Sequence, residues 1–258
     1  MENRTVLITG ASEGIGFEIA KQFAMNKYSL ILVARNEEKL DNVYNQLKAY
    51  TTVTTISQDL SEPGAAKKIY NFICSTNRTV NILVNNVGVG LEGPFQELPI
   101  EKQQYMIQLN IAALTEMTYY FVQEMIKQQY GRIVNISSIS GPIPTPQMAI
   151  YSGTKAFVLN FSQALHTELN KQGDIIVTAV CPGPTKTAFA YTNSMTGLNN
   201  LVNIMGVPAE SIAIAIFKGI HAKKSMIVPN IRYKLLLLSS KLLPQSVMQT
   251  IMYKLIKR

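Results

Sequence analysis

Two cysteines, two histidines and no acidic residue beyond Glu210 are the scarcities that narrow this 258-residue sequence. Cys74 and Cys181 lie far apart in apolar stretches and lack metal-ligand spacing, which excludes a disulfide framework and predicts buried, reduced thiols. His166 and His221 leave neither a metal site nor a serine–histidine triad to assemble, and both read as structural or solvated residues. The opening "MENRTVLITG" has no apolar core of secretory length, and no uncharged apolar run reaches the ~18 residues that a bilayer span requires. A cytoplasmic protein without a spanning helix is expected.

Charge is unevenly placed. Residues 1–210 carry 15 Lys/Arg and all 16 Asp/Glu, whereas residues 211–258 carry nine Lys/Arg and no acid, so the net charge of +8 belongs to the tail. A nucleic-acid surface would need cations across the face that docks, and the neutral body argues against one. The asymmetry points to a local feature at the C-terminus.

Six short β-branched runs alternate with helical patterns. "TVLIT" precedes a helix over 14–26, "SLILVA" one over 36–49 and "VTTIS" one over 62–76. "VNILVN" is followed by a helical stretch near 101–129, "RIVNIS" by one near 150–171 and "IIVTAV" by one near 208–222. Strands that are apolar on both faces and separated by helices imply an α/β fold, a doubly wound parallel sheet of Rossmann type. No repeat or linker interrupts the pattern. One domain over residues 1–230 is expected, with a substrate flap at about 184–207 and a helical extension over 231–258.

At the first strand-to-helix junction stand Gly10, Ala11, Ser12, Glu13, Gly14, Ile15 and Gly16. Glycines there let the backbone approach a pyrophosphate, whose charge the helix N-terminus favours. The second strand ends "LILVARN", with Arg35 where an NAD site would carry an acid for the ribose 2′-hydroxyl. An arginine fork suits a 2′-phosphate instead, so NADP(H) is the expected cofactor.

"YSGTK" places Tyr151 and Lys155 on one helical face. With 12 Tyr and 18 Lys, about one such spacing arises by chance, and the chain has three: Tyr44/Lys48, Tyr151/Lys155 and Tyr253/Lys257. The pair alone is weak. Set beside "TGASEGIG" (9–16), "NNVG" (85–88), Asn110, "NISSISG" (135–141) and "CPGPTKT" (181–187), it resembles the short-chain dehydrogenase/reductase family over about residues 4–228. Val87 departs from the family's usual alanine.

That resemblance implies a role for each matching position. Tyr151 would be the general acid, Ser138 would hold the substrate oxygen, and Asn110 would support a proton-relay water near Lys155. The Lys155 ammonium would favour the phenolate and reach the nicotinamide ribose, and Gly153 with the other small residues between the two would let cofactor and substrate come close to that face. Asp59 and Leu60 would flank the adenine. Asn86, Pro182, Gly183, Thr185 and Thr187 would lie against the cofactor, Thr187 at the carboxamide. Related enzymes pair through the long helices flanking "RIVNIS", which implies a homodimer or homotetramer.

The candidate substrate pocket, "ISGPIPTPQMAIY", presents Ile139, Ile143, Met148 and Ile150 without a charge, and the flap adds Phe189, Tyr191 and Met195. Such a pocket selects a hydrophobic carbonyl or alcohol: a 3-oxoacyl chain, a steroid or an apolar ketone. After Pro244, Val247, Met248, Ile251, Met252 and Leu255 share a helical face, with Lys254, Lys257 and Arg258 at the end. Two readings of that helix stand: packing on its own domain or a partner subunit, and peripheral attachment to an anionic membrane. The reading as a whole is an NADPH-dependent carbonyl reductase; its alternative is a catalytically idle NADP-binding module for redox sensing or membrane adaptation.

Overall fold

Parallel strands that are buried on both faces organise the molecule. The computed structural model describes residues 4–189 and 195–256. Tyr191, Lys257 and Arg258 lie outside the described residues, as does the Leu255 side chain. The first half alternates β1 (Thr5–Thr9), α1 (Gly14–Met25), β2 (Ser29–Ala34), α2 (Glu37–Leu47), β3 (Val53–Ser57), α3 (Ala65–Ser75) and β4 (Ile82–Asn85). Helix α4 (Ile100–Ile107) continues through a π-helical turn at Gln108–Ala113 into α5 (Leu114–Lys127). Then come β5 (Tyr130–Ile136), α6 (Ala149–Leu169) and β6 (Asp174–Val180).

The strand order is β3-β2-β1-β4-β5-β6-β9, all parallel, where β9 is the two-residue strand Met226–Ile227. Six of these strands coincide with the apolar runs of the sequence. The seventh is too short to show a periodicity. In β1 every residue is buried, because alternate side chains enter two different cores. Val6 and Ile8 pack with Ile19, Phe23 and Leu40 on one side, while Leu7 packs with Ile69, Phe121 and Ile133 on the other. The chain leaves β1 toward β2 on one side and returns to β4 on the other. This reversal opens a crevice at the carboxyl ends of the strands.

Within the segment expected as a substrate flap, the described residues form regular elements. Strands β7 (Thr185–Lys186) and β8 (Val207–Pro208) pair at the base, and α7 (Thr196–Met205) forms the lid above. Glu92 accepts hydrogen bonds from the N–H groups of Gly197 and Leu198, at 2.7 and 3.0 Å. A carboxylate distant in sequence thus caps the lid helix where it lacks intrahelical partners. Cys74 corrects an expectation: it is exposed on the outer side of α3, one position past the buried Ile73, whereas Cys181 is buried.

Beyond α8 (Ala209–His221) come two helices, α9 (Ile231–Leu242) and α10 (Gln245–Ile256). Asn230 starts α9 by accepting a hydrogen bond from Arg232 N–H. Tyr233, Leu237, Met248 and Met252 are buried against Ile139 and Ile143. The Tyr233 ring lies so close to the Gly183 backbone that a Cβ there would stand 2.3 Å away, and its hydroxyl donates to Met205 O at 2.7 Å. One face of the tail therefore packs on its own domain. Tyr233→Ala is expected to lower unfolding stability by about 3–5 kcal/mol, and Tyr233→Phe by about 1 kcal/mol, read from the midpoints of urea denaturation.

Candidate active site

Glycine geometry shapes the cofactor end of the crevice. Gly10 and Gly14 have φ of +64° and +59°, a left-handed conformation that side chains disfavour. Gly16 is buried beneath the turn, where a Cβ would stand 2.1 Å from Gly10 O and 2.6 Å from Asn86 Nδ2. Asn86 clasps the turn, donating from Nδ2 to Thr9 O and Gly10 O at 3.0 Å each, while Thr9 Oγ1 accepts from Asn86 N. No side chain caps the start of α1 and its first turn carries no acid, so its N–H groups offer themselves to an anion. A pyrophosphate fits this cradle, and the residues present are those a dinucleotide would need.

Gly10, Ser12, Glu13, Gly14, Ile15, Arg35, Asp59, Leu60 and Asn86 line one continuous cavity of about 310 Å³. Pro182, Gly183, Thr185 and Thr187 line it too, as do Ser138, Tyr151, Lys155, Ile139, Met148 and Phe189. Arg35 reaches across the crevice, donating from Nη1 to the Tyr105 hydroxyl at 3.1 Å and standing 4.0 Å from Asp59 Oδ2. Its side chain is 65% exposed, free enough to reorient toward a bound phosphate. Glu13 lies in the anion-binding turn but is paired with Lys39 at 2.7 Å, which neutralises its charge locally.

Gly16, Ile143 and Asn110 are among the expected site residues that do not line the cavity, each for a packing reason. Gly16 lies under Gly10. Ile143 is buried beneath the tail with Tyr233 and Met248. Asn110, in the π turn, is spent on protein partners: Nδ2 donates to Val89 O at 2.9 Å and to Thr154 Oγ1 at 3.1 Å, and Oδ1 accepts from Val89 N at 2.9 Å. A π turn widens the helix locally and often accompanies a functional site. It brings Asn110 Oδ1 and Lys155 Nζ to the same point, 3.1 and 3.5 Å from where a Gly88 Cβ would be.

Tyr151 and Lys155 share the inner face of α6 and are both buried, in contrast to the exposed Tyr44. Lys155 Nζ donates to Ile136 O at 2.9 Å and lies 5.8 Å from the Tyr151 ring centre. Burial pulls the ammonium down to about 8, with Cys181 acting in the opposite sense. Burial likewise pushes the Tyr151 phenol up to about 12, partly offset by a hydrogen bond with Ser138. Desolvation therefore dominates the phenol, and the neighbour that lowers it is Ser138. Gly153 faces outward, about 200° round the helix from Tyr151, onto an outer depression shared with Gln249. Space beside Lys155 is left instead by Gly88, where a Cβ would stand 3.5 Å from Nζ.

Around the reacting end, the lining includes Leu198, Leu201, Val202 and Met252, none of which the motifs indicate. Ile150 and Met195 sit behind it: Met195 is fully buried with Phe189 against Gly90, where a Cβ would stand 2.6 Å from its sulfur. Apolar side chains dominate this wall, and Ser138, Tyr151 and Lys155 line the same cavity beside it. That arrangement can receive a carbonyl oxygen and give it a proton. His166 and His221 lie elsewhere, bonded to Val177 O and to Tyr28 and Phe217 O.

Residues 4–196 match the family model described as short chain dehydrogenase. The chain is similar to very-long-chain 3-oxoacyl-CoA reductase from Homo sapiens, 36% identical over 185 residues that cover 68% of this chain and 57% of that protein. It spans about half the length of the curated relatives it matches. Among solved structures, a short-chain dehydrogenase from Sphingobium yanoikuyae in complex with NADPH is 32% identical, with a TM-score of 0.83 and coverage of 92% of this chain and 93% of that one. The bulky-bulky ketone specific alcohol dehydrogenase from Comamonas testosteroni is 30% identical, with a TM-score of 0.78 and 92% coverage of both chains. With the sheet order, the glycine cradle and the buried Tyr–Lys pair already in place, these matches show that the chain belongs to the short-chain dehydrogenase/reductase family, whose members are oxidoreductases using a nicotinamide cofactor.

Proposed function

We propose that this protein is an NADPH-dependent reductase of a hydrophobic carbonyl, with 3-oxoacyl thioesters as the favoured substrate class. The observation that carries the reading is that Ser138, Tyr151 and Lys155 line, together with the apolar Met148, Phe189, Leu198, Leu201 and Val202, one cavity that runs continuously to the glycine turn. Similarity to a 3-oxoacyl-CoA reductase and to an NADPH-bound dehydrogenase supports the substrate class and the cofactor.

When bound, the cofactor supplies the hydride; its pyrophosphate would be held by the glycine turn and the start of α1, and its 2′-phosphate by Arg35. Ser138 donates a hydrogen bond to the substrate carbonyl and holds its oxygen near Tyr151. A phenol kept at about 12 is protonated throughout the neutral range, so it is ready to give its proton to that oxygen. Lys155, still cationic below about 8, favours the phenolate that the transfer leaves behind. Solvent then restores the phenol proton. Asn110 is assigned a positioning role: by gripping Val89 and Thr154 it holds the β4 loop against α6.

The direct test is NADPH oxidation with 3-oxoacyl thioesters of increasing chain length, an apolar ketone and a polar sugar ketone. Activity rising with acyl length is expected, and equal or better turnover of the sugar ketone would overturn the substrate class. Tyr151→Phe is expected to lower kcat by about 10²–10⁴-fold while NADPH still binds. Arg35→Ala is expected to weaken NADPH binding about tenfold or more and leave NADH affinity unchanged, by fluorescence titration. Reductive kcat/KM should hold level below about pH 8 and fall above it, as the free enzyme's Lys155 loses its proton. A rate still level at pH 10 would remove Lys155 from the step.

A further inference from the structure

The tail helices bury one face on the domain, and α9 leaves the other bare. Ile231, Leu235, Leu238 and Leu242 are 66, 59, 58 and 80% exposed, and their i, i+4, i+7, i+11 spacing puts them in one stripe along the helix. Isolated apolar residues on a surface need no explanation, but a contiguous row of large ones does. Leu243 and Val247 extend the apolar surface onto the start of α10. Arg232 and Lys234 are exposed and, at about 100° per residue, fall on opposite sides of the stripe.

We propose that this stripe docks the protein flat on an anionic bilayer, with α9 lying in the interface. Charge decides the occupant. Arg232 and Lys234 flank the apolar strip, and from residue 211 onward the sequence holds no acid to oppose them, which complements anionic headgroups around a strip that enters the acyl boundary. A second copy fits poorly: a two-fold contact through the same stripe would face the cations of one α9 with those of the other and offer no carboxylate from either. The docking surface differs from the helix after Pro244, for which the sequence left membrane attachment and packing both open. There, Met248 and Met252 turn inward, and Met252 reaches the cavity wall. The hairpin that carries the membrane stripe thus also closes the apolar end of the site. A long-chain lipid carbonyl would meet the cavity wall beside the bilayer. Docking itself does not depend on the proposed reductase activity.

The experiment is co-sedimentation of the full chain with phosphatidylcholine vesicles and with vesicles containing phosphatidylserine, beside the variant Leu235→Glu/Leu238→Glu. Both leucines are exposed, so the variant should keep its thermal unfolding midpoint and circular dichroism spectrum. The expected result is binding to the anionic vesicles that weakens with salt and falls on the order of a hundredfold in the folded variant. Equal binding by both proteins would overturn the proposal. So would a protein that ignores both vesicles and sediments as a dimer dissociated by the same substitutions, since the stripe would then belong to a second copy.

Discussion

The rest of the site depends on one close approach: the backbone of α1 against the carbonyl of Gly10. Any side chain at position 16 would drive a carbon to 2.1 Å from that oxygen, so the helix can start directly under the turn only with glycine there. The approach aims the N–H groups at the start of α1 into the crevice, and Asn86 fixes it by bonding both Thr9 O and Gly10 O. Because Asn86 follows β4, the same clasp ties the two strands between which the chain reverses direction. Anion cradle and crevice are consequences of a single packing constraint.

A second constraint governs the chemistry. Tyr151 and Lys155 are removed from water together, so each ionisation is penalised: the phenol rises and the ammonium falls. A buried lysine keeps its proton only with help, and Ile136 O supplies an acceptor at 2.9 Å. Space beside it is made by Gly88, and the π turn swings Asn110 to the same place. The proposed proton donor and its cation therefore rest on a backbone irregularity that costs helix regularity and returns position.

The tail changes how the pocket is bounded. Tyr233 presses on Gly183, Met252 reaches the cavity, and the lid helix α7 is capped by Glu92, about a hundred residues away in sequence. Elements widely separated in sequence converge on both ends, but at the polar end each contributes a short local pattern. That division explains the unequal legibility of the two halves. Gly10, Gly14, Arg35, Ser138, Tyr151 and Lys155 stand in short local patterns whose spacing has a chemical reason. Leu198, Leu201, Val202 and Met252 are ordinary apolar residues on helices, and only the packing of those helices turns them toward a ligand.

Six strands and their helices were legible because a sheet buried on both faces demands continuous apolar runs, as in "TVLIT" and "SLILVA". Met226–Ile227 was not, since two residues have no period, and neither was the π turn, whose residues read as plain helix. Ile143 and Gly153 looked like pocket residues by proximity to Tyr151, but the helix period and the tail turned them elsewhere. By itself, then, the sequence determined the parallel α/β architecture, the turn that can hold a pyrophosphate and the pairing of Tyr151 with Lys155, because each is written in local spacing. Tertiary structure alone decided which apolar side chains wall the cavity, which face of the tail is buried and which way the two ionisations move, because burial is a property of neighbours that the chain brings together from afar.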